Sequence, residues 1–199
     1  MRKHFLTIPA LATAAGALAL IAISPFSASG PEAQASHSHE ITTVRAEAAV
    51  SSLVAATGEQ LMEVMNKTGQ YRNIHTALGR GYANIDVFMP FMGCHYLNAE
   101  LLDGTFDHER PEILVYAEEP GQKPILIAVE YAVPISESPA GPPQGFAGSY
   151  DVWDHNETFG LWTLHAWTEL PNPDGVFGPF NPLAPEEFAG CGTAGHGDD

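Results

Sequence analysis

Apolar residues change their rhythm once along this chain, near residue 82. Before that point they recur with a helical period. Val44, Ala48 and Leu53-Val54 give a rough apolar face over Thr43 to Ala56. Leu61, Val64, Met65, Thr68, Tyr71, His75 and Leu78 then recur about every 3.5 residues, the spacing of a helix face. Thr57-Gly58-Glu59-Gln60 between them matches a capping box and predicts that a second helix starts there. Gly69 predicts a kink or break, and Gly79 and Gly81 an end.

After Tyr82 the period becomes that of strands. Val87 to Asn98 reads as a strand entering a loop at Gly93. Glu112 to Ala117 and Ile125 to Val133 flank a Pro-Gly turn and predict an antiparallel hairpin. Pro134 to Gly148 is rich in Pro, Ser and Gly and predicts a loop. Leu161 to Thr168 predicts a further strand. From Pro171 the chain predicts a long irregular C-terminal arm. The expected fold is α+β, with N-terminal helices packed on an antiparallel sheet.

The first residues follow another logic. Arg2, Lys3 and His4 precede an apolar run from Phe5 to Ile23, and Ala33-Gln34-Ala35 fits the small-x-small rule. This order predicts a cleaved secretory signal at 1–35 and an exported protein, periplasmic or secreted. Cleavage after Ser29 or Gly30 also satisfies the rule. A polar segment and first helix at 36–57 follow, then a globular domain at 58–191 and a disordered acidic tail at 192–199. No later stretch has the length and apolarity of a membrane span, so no stable membrane insertion is expected after processing. Removing the signal leaves roughly 165 residues, enough for one domain with a sizeable core.

Composition narrows the partners. The 24 acidic residues outnumber the 8 basic ones, a field that repels phosphate backbones and argues against nucleic acid. It suits cations or basic partners. Cys94 and Cys191 are the only two cysteines. In an oxidising compartment they are expected to form a disulfide, worth up to about 4–5 kcal/mol in the chain-entropy model.

Polar residues inside apolar strands carry the candidate chemistry. Glu130 interrupts Ile125 to Val133, and strand parity puts it on one face with Leu126, Ala128 and Ala132. His165 interrupts an aromatic strand, sharing its face with Thr163 and Trp167, and His95 lies beside Cys94. An ionised carboxylate in an apolar strand is costly unless paired or metal-bound. Two imidazoles and one carboxylate from separate elements can form a metal site with open positions, for one divalent transition metal. The leading expectation is an exported small-ligand or metal-binding domain. The same residues also suit a metal-free acid/base or ligand site, a metal-dependent hydrolase or oxygenase, or core residues satisfying one another in a structural or envelope-interaction protein. Other histidines are read as a solvated tail (His37, His39), as core (His75) and as surface (His108, His155). Glu112 opens a strand as an edge or supporting group.

These residues fall into a set of short motifs. Met92-Gly93-Cys94-His95-Tyr96-Leu97-Asn98 is followed by Pro111-Glu112-Ile113-Leu114-Val115-Tyr116 and Val129-Glu130-Tyr131. Leu164-His165-Ala166-Trp167, Asn172-Pro173-Asp174-Gly175-Val176-Phe177 and Asn181-Pro182 complete it. The set resembles a family of uncharacterised exported bacterial proteins, over about residues 60–191. The resemblance implies export, and it lends no catalytic residue. In that family the earlier cysteine lies upstream of the G-x-H-Y motif, whereas Cys94 falls inside it.

Overall fold

A long helix, α1 (Glu32–Thr68), runs without interruption through the expected capping box. The structure, a computed structural model, describes residues 32–187 and 190–192. The signal expectation for 1–35 and the tail expectation for 192–199 lie outside those residues except at 32–35 and 192. Thr57 does not cap a helix start. Its hydroxyl donates to Leu53 O one turn back and also meets Ala147 O, while Gln60 accepts from Ala147 N at 2.7 Å. The T-x-x-Q pattern therefore fastens α1 to a loop ninety residues away. At Gly69 the helix tightens into a 3-10 turn (Gly69–Arg72), and α2 (Ile74–Gly79) follows, its first turn capped by Asn73. Leu53 and Val54 are exposed, and His75 is exposed rather than core; Ala77 is the residue α2 buries.

Among the described residues, six strands form one antiparallel sheet: β1 (Ala83–Met89), β2 (Gly93–Leu97), β3 (Ile113–Ala117), β4 (Ile125–Pro134), β5 (Asp154–Asn156) and β6 (Leu161–Ala166). Their spatial order is β1-β2-β3-β4-β6-β5. The fold is thus α+β. The β3–β4 hairpin turns at Pro120-Gly121, with Gly121 at φ 74° supplying the left-handed residue that a type II turn requires. The expected single strand at 87–98 is instead a second hairpin, β1–β2, bent at Phe91 and Gly93.

Each face of the sheet has its own packing. Tyr96, Leu114, Tyr116, Val129, Tyr131 and Leu164 share a buried cluster with Val64 and Ala77 of the helices. Ile113, Val115, Ala128, Ala132 and Trp167 belong to a cluster on the other side. Between Val115↔Ala128 and Tyr116↔Leu126, Ile127 is an extra residue on β4. That bulge turns Leu126 to the helix side and Ile127 to the other, correcting the simple alternation expected from the sequence. No helix among the described residues is long and apolar enough to cross a membrane.

Candidate metal centre

Register brings the three candidate residues to one face of the sheet, opposite the helices. Glu130 on β4 pairs with His165 on β6 and with Ile113 on β3. Ile113 pairs with Leu97, two residues after His95 on β2. Directly paired residues share a face, as do residues two apart on one strand. His95, Glu130 and His165 therefore converge from three strands. All three are buried, with 4–5% of their surface exposed. Among the described residues they are the one group of three metal-type side chains that offers donor atoms all within 4.8 Å of one another.

The separations decide what holds them together. His95 Nε2 lies 3.5 Å from Glu130 Oε2, and His165 Nε2 lies 3.7 Å from Glu130 Oε1. These are longer than N–H···O hydrogen bonds, which run from about 2.7 to 3.2 Å. They match two ligand atoms on one ion: atoms about 2.0–2.2 Å from a tetrahedral centre stand about 3.4 Å apart. Both contacts fall within ion-pair range if the imidazoles are protonated. His165 Nε2 is buried and has no hydrogen-bond partner among the described residues. Burial pushes the His165 imidazole below its usual pKa, with Glu130 acting in the opposite direction. The neutral ring is the form that ligates a metal.

His95 is oriented from behind. Its Nδ1 lies 3.1 Å from Val87 O, and a carbonyl only accepts, so Nδ1 carries the proton and Nε2 faces the centre. That carbonyl lies in a bulge of β1, where three residues, Ile85 to Val87, stand opposite His95 alone. Asn84 Oδ1 accepts from Asp86 N at the bulge, and Asp86 takes φ 61°. A backbone carbonyl on the far nitrogen of a ligating histidine is a common outer support of metal sites. The His165 and Trp167 rings lie near-parallel, 6.0 Å apart.

The Cys94–Cys191 disulfide sits behind the same strand, on the helix side, with Cα atoms 5.6 Å apart. Cys191 Sγ lies 3.9 Å from Val87 O, the carbonyl that holds His95. Buried Glu118 fixes the next residue, accepting from Tyr96 Oη and Gly192 N at 2.7 Å each. The disulfide thus reaches the site through the backbone of β1.

The centre forms one wall of a cavity of about 460 Å³. The edge strands β1, through Ile85, Val87 and Met89, and β5, through Asp154 and Asn156, both line it, so the sheet curls around it. Leu97, Leu102, Ile113 and Leu161 add apolar wall, and Pro179 and Phe180 reach it from the chain after β6.

Three parts of this site escape the sequence. Strand β5, which brings Asp154 and Asn156 to the cavity, is too short to show a period; His155, read as surface, is exposed on it against Trp162. The Val87 carbonyl has no side-chain signature. The residues of the chain after β6 that enter the wall carry no pattern at all. Glu112, expected to be an edge or supporting group, is buried and accepts from Ala132 N at 3.0 Å. His108 is half-buried against Glu63 at 2.7 Å, outside the centre. No protein-family model, curated protein or solved structure matches the chain.

Proposed function

We propose that this chain is an exported metal-binding protein that holds one divalent transition metal on His95, Glu130 and His165. One observation carries the reading: three buried donors converge at ligand spacing, and one of them, His165 Nε2, has no other partner. Two imidazoles and one carboxylate suit zinc in a tetrahedral site or iron(II) in an octahedral one, in each case with positions left open. Export is supported by the basic, apolar, small-residue order of residues 1–35, by the Cys94–Cys191 disulfide, and by the motifs resembling exported bacterial proteins. We read the chain after Pro171 as a long irregular arm that carries Pro179 and Phe180 to the cavity.

Elemental analysis after zinc or anaerobic iron(II) loading tests the metal. Wild-type protein is expected to retain one equivalent through dialysis. His95→Gln, Glu130→Gln and His165→Gln should each weaken binding by more than about a hundredfold, since loss of even an outer partner costs 10–100-fold. Equal retention by wild type and all three variants would sink the reading.

A second reading, a metal-dependent enzyme of hydrolase or oxygenase type, is favoured by the position of the donors on a cavity wall. A metal with three protein ligands keeps a place for water or substrate. Turnover of a bound small molecule, or consumption of oxygen by the iron-loaded protein, separates this from simple binding.

A further inference from the structure

Charge and shape at the centre, once a metal is placed there, restrict what else enters. A divalent ion brings two positive charges. Glu130 supplies one negative charge, and His95 and His165 ligate as neutral rings. One net positive charge remains at the end of an enclosure whose walls are mainly aliphatic and aromatic. An uncompensated charge in such surroundings is costly, and an anion on an open coordination position removes the cost. No lysine or arginine is among the residues lining the cavity. Glu130 and Asp154, the two acidic residues lining the cavity, repel an anion when the metal is absent. Among the described residues lining the cavity the metal is therefore the one cationic partner an anion can find.

The room beside the metal sets the rest of the ligand. A volume of about 460 Å³ corresponds to about fifteen waters at about 30 Å³ each. This is space for an organic body and far more than a bare inorganic ligand fills. Ile85, Leu97, Leu102, Ile113, Leu161 and Phe180 line that space. Polar groups gather near the three donors: Thr163 pairs across β6 with Asp154, two residues from His165. A molecule with one charged end and one apolar end meets both requirements.

We propose that the cavity takes a small monoanionic organic ligand whose carboxylate-type oxygen ligates the metal and whose apolar body fills the space between β1 and β6. This rests on the metal-binding reading above. It adds a strict dependence: the same anion has no site in the metal-free protein.

Isothermal titration calorimetry on the full chain, in carboxylate-free buffer, tests it with benzoate as the anion. Zinc is titrated first, so its binding is read separately. The zinc-loaded protein is expected to bind benzoate at least tenfold more tightly than benzamide, which has the same body without the charge. It should also exceed acetate tenfold, which has the charge without the body. The metal-free protein should give no benzoate heat. Phe180→Ala, a change at an exposed wall residue that lies outside β1 and ligates nothing, should keep one zinc and lose benzoate affinity tenfold or more. Absence of zinc binding would overturn the metal reading and this inference with it. Zinc binding combined with equal affinities for benzoate, benzamide and acetate would overturn this inference alone. So would benzoate binding unchanged by Phe180→Ala, or undiminished in the metal-free protein.

Discussion

Glu112, just before β3, and Glu130, within β4, are both buried carboxylates, yet their surroundings give them different tasks. Glu112 has a backbone donor, Ala132 N, and no imidazole partner. Burial pushes its carboxyl up to about 8, from an ordinary 4.5. The folded protein holds that proton over a range in which the unfolded chain has lost it. Stability from this group is fully present below about pH 4.5 and falls as pH rises toward 8. Glu112→Gln should flatten the decline, which melting temperatures between pH 5 and 8 would reveal; an unchanged slope would contradict the assignment. Gly93 is constrained by space and by backbone. It takes φ 117°, and a Cβ there would lie 2.5 Å from Tyr116 O. Gly93→Ala should destabilise by at least about 1–3 kcal/mol in denaturant unfolding, the usual cost of a strained backbone alone. Glu130 and His165 were legible in the sequence because each interrupts an otherwise apolar strand. What the sequence withheld is the Val87 carbonyl that points His95 inward, since it depends on an irregularity in β1 and not on any residue type.

Strands announced themselves where both faces are buried, and hid where one face is bare. β3 and β4 read as continuous apolar runs because helices cover one side and the second cluster lies on the other. β1 alternates with Asn84 and Asp86 at its exposed edge, so its apolar signal begins only at Val87. The T-x-x-Q at Thr57 misled for a related reason. A capping box and a tertiary clasp use the same side chains, and only the distant loop at Ala147 tells them apart. The β1 bulge is the element on which the site depends. Asp86→Gly suits φ 61° and should keep both stability and zinc affinity. Asp86→Val forces a β-branched residue into that conformation. It should lower the melting temperature and, through Val87 and His95, weaken zinc about tenfold. Equal behaviour of the two variants in a paired melt and zinc titration would show that the bulge does not support the site.

At the scale of the whole molecule, one sheet does two jobs. Its helix side holds the aromatic core that gives the chain its stability, and its curled side holds the three donors and the cavity. The disulfide joins a residue adjacent to His95 to one 97 positions later. Replacing both cysteines with serine should cost up to about 4–5 kcal/mol in the chain-entropy model, read from denaturant midpoints. A loss below about 1 kcal/mol would show that the cross-link adds little. The pairing of Cys94 with Cys191 could be inferred from their number alone. Curvature could not, because it arises from sheet twist and bulges that place β1 and β5 on a common cavity. Anomalous scattering from crystals of zinc-loaded protein tests the central claim most directly. A single strong peak should lie within about 2.0–2.2 Å of His95 Nε2, His165 Nε2 and a Glu130 carboxylate oxygen. A map with no peak there, or with zinc only on surface carboxylates, would contradict it.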